Sequence, residues 1–570
     1  MKTTDTSLDR RSFLKGAAML GAAGAGAVAS SQALAACAPR SRDDGPDGTA
    51  GQKEASFEQP PEAIDESAVA ETVESDVVVV GAGPSGLVCA LSAVEQGLDV
   101  VLFAQSENVV ARGGSNAAVH SKLLEEYGLE GVTPRFLLAQ LAQASFNIDV
   151  DKWHAWFNTS EEAMNWLIDK TRGISGLRLC IEQGNEWDDT TYPLYGPGMS
   201  HCWNSDDFPI VADGQPSLVL ALRSLLEQEG VRLFFETRAE QLVRGGKPNG
   251  TSGRVDAVIA RRSDDSLVKF VGRKAVVLAT GDFSGDRAMM EKYCPEAVEW
   301  VKNWNLEQNP DVLDKVYGGL YTGQGQKMGL WVGAAWQKTV PNAVMAATFA
   351  APDANPWNAP STLMVTDSGR RFCCEEMGCG HLPYVIKHVG PVNAIYDAAY
   401  PSARQPWHNW KNVHGEGDQT PDEVLASWDK KAADGKMFKA DTLEALARDM
   451  GIDEKALEAS VRRYNELCKK GSDDDFHKRP ELMVPIATPP FYGWRKEAPT
   501  LLTVMGGLRT DVHMRVCDEN DAPIEGLYNV GTMVGDVYAN SYNFLVEGHN
   551  HGMNCITFGY STGRFIAENA

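Results

Sequence analysis

The chemistry open to this chain is set first by three glycines. Gly81, Gly83 and Gly86 stand at G-x-G-x-x-G spacing in GAGPSG, directly after the β-branched run Val77, Val78, Val79 and Val80. In such a motif the first glycine permits a tight turn, the second lets backbone approach a pyrophosphate, and the third lets a helix pack close to its strand. With Pro84 and Ser85 inside the motif, the helix that follows would offer unpaired N–H groups and the positive end of its dipole to phosphates. A bound dinucleotide is the expected ligand. An acid is expected about 20 residues further on, where it would hold ribose hydroxyls; Gln105 stands there instead and can both donate and accept. A second small-residue turn, Gly113, Gly114, Ser115 and Asn116, follows Arg112 and is read as another backbone approach to the cofactor. Thr280, Gly281 and Asp282, at the end of the apolar run KAVVLAT, form a third, although a turn cap is the ordinary role for an aspartate placed like Asp282.

Candidate reactive groups lie further along. Cys373, Cys374, Cys379 and His381 make the one cysteine-rich cluster. The chain has no C-x-x-C, so a zinc or iron–sulfur ligand set lacks suitable spacing, and these thiols are read as packing or local redox groups. The absence of C-x-x-C-H leaves no covalent c-type haem. Glu375 and Glu376, close to Arg371, are expected to form an ion pair orienting a loop, with a proton relay as the alternative.

The elements that must position these groups follow from periodicity and composition. Residues 76–103 read as strand, turn, helix and strand, with the first strand buried on both faces. Residues 133–172 are helical, with Trp153, Trp156 and Trp166 near helical spacing and read as core. Residues 215–229 form an amphipathic helix, 232–236 a strand, and 243–260 a hairpin with a Gly/Asn turn. A length of 570 residues gives room for two or three domains, and 43% hydrophobic content is ordinary for a globular chain. The net charge of −24 argues against nucleic acid and against an anionic membrane surface as partners.

The amino terminus reads as an address. DRRSFLK at residues 9–15 resembles a twin-arginine export signal, and residues 16–36 are too rich in Ala and Gly for a comfortable membrane span. Leu34, Ala35, Ala36 and Cys37 resemble a lipoprotein cleavage box, with Cys37 the lipidated residue; cleavage near Ala35 or an uncleaved anchor is the alternative. Residues 37–75 are Pro-, Gly- and acid-rich and are expected to be a disordered tether, spanning on the order of 35 Å, so that the membrane is met only through the lipid.

Taken together the motifs resemble a known family: the FAD-dependent fumarate reductases in the broad sense, with urocanate reductase, 3-ketosteroid dehydrogenase and the cardiac glycoside reductases. The matching pieces are GAGPSG, GGSN, GRVDAV, VVLATGDFS, TGQGQKMGLWVGA, GRRF, PIATPPFY, MGGLRTD, IEGLYNVG and ITFGYSTGRFIA, in family order. The resemblance implies an α/β fold with a Rossmann-like FAD-binding domain in two pieces, residues 76–335 and 499–570, and an inserted α+β clamp over 336–498 that closes on substrate. It implies FAD as cofactor, with the helix that starts near His549, His551 and Gly552 directing its N-terminus at the flavin.

The resemblance also shows where this chain departs. In the carboxylate-reducing members a clamp arginine protonates the substrate, while histidines and another arginine hold its carboxylates. Here those positions fall at Cys379, near Val340 and Pro341, at Thr503, and in SYNFLV at 541–546, which has no arginine. A dicarboxylate needs fixed cations to offset its desolvation, so the expected substrate is a less charged, unsaturated small molecule. Trp336, Trp357, Trp407 and Trp410 could line an apolar pocket, with ordinary core as the alternative. Tyr542, then His381, then Tyr538 are the candidate proton donors. The sequence is thus read as an exported, lipid-anchored FAD reductase of activated C=C bonds, fed by a separate membrane or extracytoplasmic electron donor. A dehydrogenase of ketosteroid type and a non-catalytic flavin electron carrier are the alternatives.

Overall fold

The computed structural model describes residues 56–111, 113–181, 200–205, 215–300, 321–346, 363–376, 381–403, 419–496, 500–539, 542 and 548–570. Cys37 and the export signal, Arg112, Trp357, Cys379, Trp407, Trp410 and all of 541–546 except Tyr542 lie outside the described residues.

In chain order the strands are β1 (Val69–Val80), β2 (Val100–Phe103), β3 (Asn116–Ala117), β4 (Leu177–Ile181), β5 (Ser200–Ser205), β6 (Arg232–Phe234), β7 (Thr237–Arg244), β8 (Lys247–Pro248), β9 (Val255–Arg262), β10 (Leu267–Leu278), β11 (Asn342–Ala346), β12 (Leu363–Thr366), β13 (Val392–Asp397), β14 (Phe438–Ala440), β15 (Phe491–Lys496), β16 (Thr500–Met505), β17 (Arg515–Cys517) and β18 (Pro523–Asn529). The large sheet runs β6-β2-β1-β10-β9-β7-β8, with β18 beside β10 and β17 beside β18. Its centre is parallel: β1 pairs in parallel with both β2 and β10, and β10 with β18. Successive side chains of a strand face opposite ways, so a continuous apolar run can serve two cores at once. Val77, Val79, Val100 and Leu102 enter one cluster, beneath the helix Pro84–Glu95, while Val78, Val80, Val101 and Phe103 enter the other.

The inserted body has a four-stranded antiparallel sheet, β12-β13-β15-β14. Met364, Ala394, Tyr396 and Tyr492 pack on one of its faces, and Leu363, Val365, Ile395 and Phe491 on the other. A two-stranded ribbon, β11 with β16, lies where the chain passes between this sheet and the large one.

The structure corrects the tether. Its last part, from Ser56, is ordered: β1 begins at Val69, where it pairs with Leu267, and the Asp65 carboxylate caps the short helix Glu66–Ala68. Phe57 packs edge-on against Tyr293, and its carbonyl accepts from Trp331 Nε1 at 2.9 Å. The polar composition of this stretch hid a ladder that supplies the backbone with partners. The carboxy-terminal helix also differs from a plain α-helix. A π-helix, His551–Thr557, opens it, with the Thr557 hydroxyl donating to the Gly552 carbonyl five residues back.

Candidate active site

The site is built on the edge between β1 and its helix. Gly81 holds φ +119°, and a Cβ there would lie 2.2 Å from the Ala279 carbonyl oxygen. At Gly86 a Cβ would lie 2.1 Å from the Gly81 carbonyl oxygen. These two glycines therefore bring turn, helix and β10 together by backbone contact. Gly83 differs: its nearest neighbour to an added Cβ is 3.9 Å away, so the space over it is open. Gly83 is the N-cap of the helix, and Pro84 follows in its first turn.

A cleft, partly open to solvent, begins at this helix end. Gly81, Gly83, Pro84, Ser85, Gln105, Thr280, Gly281 and His551 line it. Tyr321, Thr532, Thr237 and Cys555 line it too; sequence reasoning did not single them out, although Tyr321 and Thr532 flank motifs that it did use. No aspartate or glutamate is in the described wall. A carboxylate-free cleft over a helix N-terminus fits a pyrophosphate-bearing dinucleotide.

The second glycine turn works from behind. Asn116 is fully buried, and its side-chain amide donates to the Gly114 carbonyl at 2.9 Å and to Gln215 Oε1 at 2.8 Å. Its own carbonyl pairs with His201 Nδ1 at 3.0 Å, while Ser121 Oγ lies 2.6 Å from His201 Nε2. Because a carbonyl can only accept, Nδ1 carries the hydrogen and Nε2 accepts from the serine. Asn116 therefore shapes the turn Gly113–Ser115 rather than presenting its amide to the cleft. His551 seats on that turn: a Cβ at Gly113 would meet its ring at 2.3 Å, and His551 Nδ1 lies 3.2 Å from the Ser115 carbonyl. Gly552 and Gly548 complete the junction, since Cβ atoms there would strike Ala117 and Ser115 backbone at 1.8 and 2.2 Å.

Asp282 needs correction as a cofactor residue. One of its carboxylate oxygens accepts from Ser284 N and Oγ at 2.9 and 2.7 Å; the other accepts from Val504 N at 3.1 Å and from the Thr503 hydroxyl. It binds the clamp ribbon, and only its neighbours Thr280 and Gly281 face the cleft. Trp336 likewise stacks on Tyr293, with centroids 3.9 Å apart, inside a core cluster.

Of the candidate proton donors, the structure unites Tyr538 and Tyr542, whose rings meet edge to face at 5.1 Å. His381 stands in the clamp, one residue before the helix Leu382–Val389. Tyr538 hydrogen-bonds through its hydroxyl to His549 Nδ1. Trp153 stacks on the His549 ring at 4.4 Å, and Trp156 meets it edge to face at 4.3 Å. These two tryptophans are buried in the core, as expected, and there they also wall an imidazole. Burial, and then the neighbouring Tyr542, push the Tyr538 phenol well above its ordinary range, and burial pushes His549 down to about 3. The phenol therefore stays protonated and donates, and the imidazole stays neutral.

This arrangement makes stability depend on pH in a stated direction. Unfolding returns His549 to its ordinary value of 6.5, so the unfolded chain takes up a proton between pH 6.5 and about 3 that the folded chain refuses. Stability falls as the pH drops through that window, by about 2 kcal/mol at pH 5 relative to pH 7 from this group. Urea denaturation of the wild type and of His549→Gln at both pH values is expected to show this extra loss in the wild type alone. Equal losses would mean that His549 is not held neutral.

The strand–glycine turn–helix unit and the cleft at its helix end define a dinucleotide-binding protein. Residues 76–544 match the family model described as FAD binding domain, and the chain belongs to that family. It is 26% identical to the digoxin reductase of Eggerthella lenta, over 99% of this chain and 97% of that protein. It is 24% identical to the vinyl phenol reductase of Lactiplantibacillus plantarum, over 87% of this chain and 96% of that protein. In fold it is similar to the 3-ketosteroid delta1-dehydrogenase from Sterolibacterium denitrificans, solved in complex with 1,4-androstadiene-3,17-dione: TM-score 0.64 and 19% identity, covering 87% of this chain and 100% of that one. The dinucleotide is FAD, and the chain is an FAD-dependent oxidoreductase.

Proposed function

We propose that the protein reduces the activated C=C bond of a small organic acceptor that is not a dicarboxylate. The observation that carries this reading is at Thr503, where the resemblance places a carboxylate-holding histidine. Thr503 is neutral, and its hydroxyl is engaged by Asp282. A buried aspartate behind that position opposes an anionic substrate group there. The names of the two reductase relatives, for vinyl phenol and digoxin, accord with a neutral unsaturated acceptor.

When bound, reduced FAD supplies the hydride to one alkene carbon. The chain's own residues hold the acceptor, exclude water and deliver the one proton that the other carbon takes. Tyr542 is the proposed proton donor. Tyr538, fixed through His549 and the two tryptophans, supports the Tyr542 ring, and the clamp closes the site. His381 is a clamp-side candidate for the same proton. Export by the twin-arginine route and a lipid on Cys37, which rest on the amino-terminal sequence, complete the proposal, together with a separate electron-donor protein, which rests on the lack of a C-x-x-C-H haem motif in this sequence.

The experiment is anaerobic. The holoenzyme, with its flavin chemically reduced, is mixed with a panel of neutral or aromatic enones and vinyl compounds and with a panel of unsaturated dicarboxylates. Reoxidation by the neutral panel alone is the expected result, slowed at least tenfold in Tyr542→Phe. Fast reoxidation by fumarate would overturn the reading. Bleaching of the oxidised enzyme by a saturated ketone, with no reaction toward alkenes, would favour the dehydrogenase direction instead.

A further inference from the structure

The chain crosses between the flavin body and the clamp twice, and a buried aspartate grips each crossing. On the way out, Gln337 N donates to the Gly507 carbonyl at 2.9 Å, and Gln337 Oε1 accepts from Gly507 N at 2.7 Å. The next two residues are held by Asp536. Lys338 N reaches both of its oxygens, at 2.9 and 3.1 Å, and Thr339 N reaches Oδ1 at 2.9 Å. On the way back, in β16, Asp282 takes Val504 N and the Thr503 hydroxyl. The second grip falls within the ladder of β11 and β16, which pair from Asn342 opposite Met505 to Ala346 opposite Thr500.

Both aspartates are also tied to the cofactor wall. Asp282 follows Gly281, which lines the cleft. Asp536 lies four residues after cleft-lining Thr532 and two before Tyr538, with a left-handed φ of +65°. Its 7% exposure and the complete burial of Asp282 keep water from competing for their donors. We propose that Asp282 and Asp536 are positioning residues that couple the FAD cleft to the angle of the clamp, so that the clamp is held ready over substrate only when the cleft is filled. The part of this that concerns substrate rests on the proposed reductase reading; the coupling itself does not.

The two sites differ in how much a carboxamide would cost them. At Asp536 a single oxygen, Oδ1, already accepts from both Lys338 N and Thr339 N, and asparagine tolerates a left-handed φ well. The carboxamide oxygen of the Asp536→Asn variant would keep both Oδ1 bonds, and its NH₂ would displace only the longer branch of the shared Lys338 N contact, at 3.1 Å. At Asp282 each oxygen faces N–H and O–H donors on its own side, so the NH₂ of an asparagine must confront either Ser284 N or Val504 N. Asp536→Asn is therefore expected to behave like the wild type, and Asp536→Ala and Asp282→Asn to be uncoupled.

The test uses full-length protein in apo and FAD-loaded forms, with limited proteolysis as the first readout. FAD is expected to slow cleavage within residues 338–346 and 500–505 at least fivefold in the wild type and in Asp536→Asn, and less than twofold in Asp282→Asn and Asp536→Ala. The second readout compares the alkene acceptor with a small dye that reoxidises the flavin. In the uncoupled variants the alkene KM is expected to rise at least fivefold, while FAD content and the dye rate stay within twofold of the wild type. A merely structural role would lower FAD content and dye rate together and leave KM in place. The proposal is overturned if FAD gives no protection in the wild type, if Asp282→Asn is protected like the wild type, or if Asp536→Asn fails as Asp536→Ala does. A wild type that is protected by FAD yet inert toward every alkene would sink the substrate reading and leave the coupling standing.

Discussion

Gly81→Ala is expected to yield a protein without bound FAD and with a markedly lower melting temperature. The added Cβ would lie 2.2 Å from the Ala279 carbonyl oxygen and 2.7 Å from its carbon, and neither can yield without breaking the register of β10. The backbone at φ +119° is also closed to an alanine. Gly83→Ala provides the control. Its φ of −86° suits any residue, and the nearest atom to its Cβ would be 3.9 Å away. The apoprotein should therefore keep its melting temperature, while FAD affinity falls at least tenfold, about 1.4 kcal/mol, because the methyl occupies the space that a pyrophosphate needs. Differential scanning calorimetry of the apoproteins with FAD titration separates the two effects. A Gly83→Ala protein that binds FAD as the wild type does would place the phosphates elsewhere.

The second large effect is expected in the clamp. Arg371 is 7% exposed and makes forked bonds to Glu375, at 2.9 and 2.8 Å, and to Asp473, at 3.0 and 2.8 Å. Tyr464 and Phe476 close over the guanidinium, with ring centroids 5.1 and 4.9 Å away. Burial works against its charge, but the two carboxylates outweigh burial and hold its pKa above the ordinary value. Glu375 Oε1 accepts from Met364 N, which ties the network to β12, and Lys478 Nζ stands 3.5 Å from Glu375 Oε2. Glu376 separately binds Arg479. This is a structural lock, and it favours the ion-pair reading of Glu375 and Glu376 over the relay. Arg371→Ala leaves two buried carboxylates short of their partner, which costs about 3–5 kcal/mol. The clamp is expected to become protease-sensitive while the flavin body keeps its FAD. Lysine should rescue little, since a point charge cannot fork to two carboxylates. An Arg371→Ala clamp as protease-resistant as the wild type would refute the lock.

The cysteines beside this network carry a quieter message. Burial pushes Cys374 up to about 11 and Cys373 higher still, so both are thiols rather than thiolates at neutral pH. Their neighbourhood is built for packing.

What the sequence determined by itself was whatever depends on short-range order. G-x-G-x-x-G after Val77 to Val80 could be read directly, because turn, helix start and strand are adjacent in the chain and their chemistry is local. The same holds for the helix Pro84–Glu95 and for the loss of the family's cations, which are matters of residue identity. Tertiary structure alone decided the direction of side chains that meet partners far away in sequence. Asp282 caps its own turn through Ser284, as local chemistry suggests, but its second role waits until β16 arrives from more than two hundred positions later and offers it Val504 N and the Thr503 hydroxyl. Trp153 and Trp156 are core, as their spacing suggests, but that they wall His549 is invisible until the last helix is brought to them, and a polar stretch around Val69 looks like tether until β10 supplies its ladder. In each case local propensity was correct about what the residue tolerates. It was silent about the partner, because closing a long loop leaves no periodicity in the chain that could be read in advance.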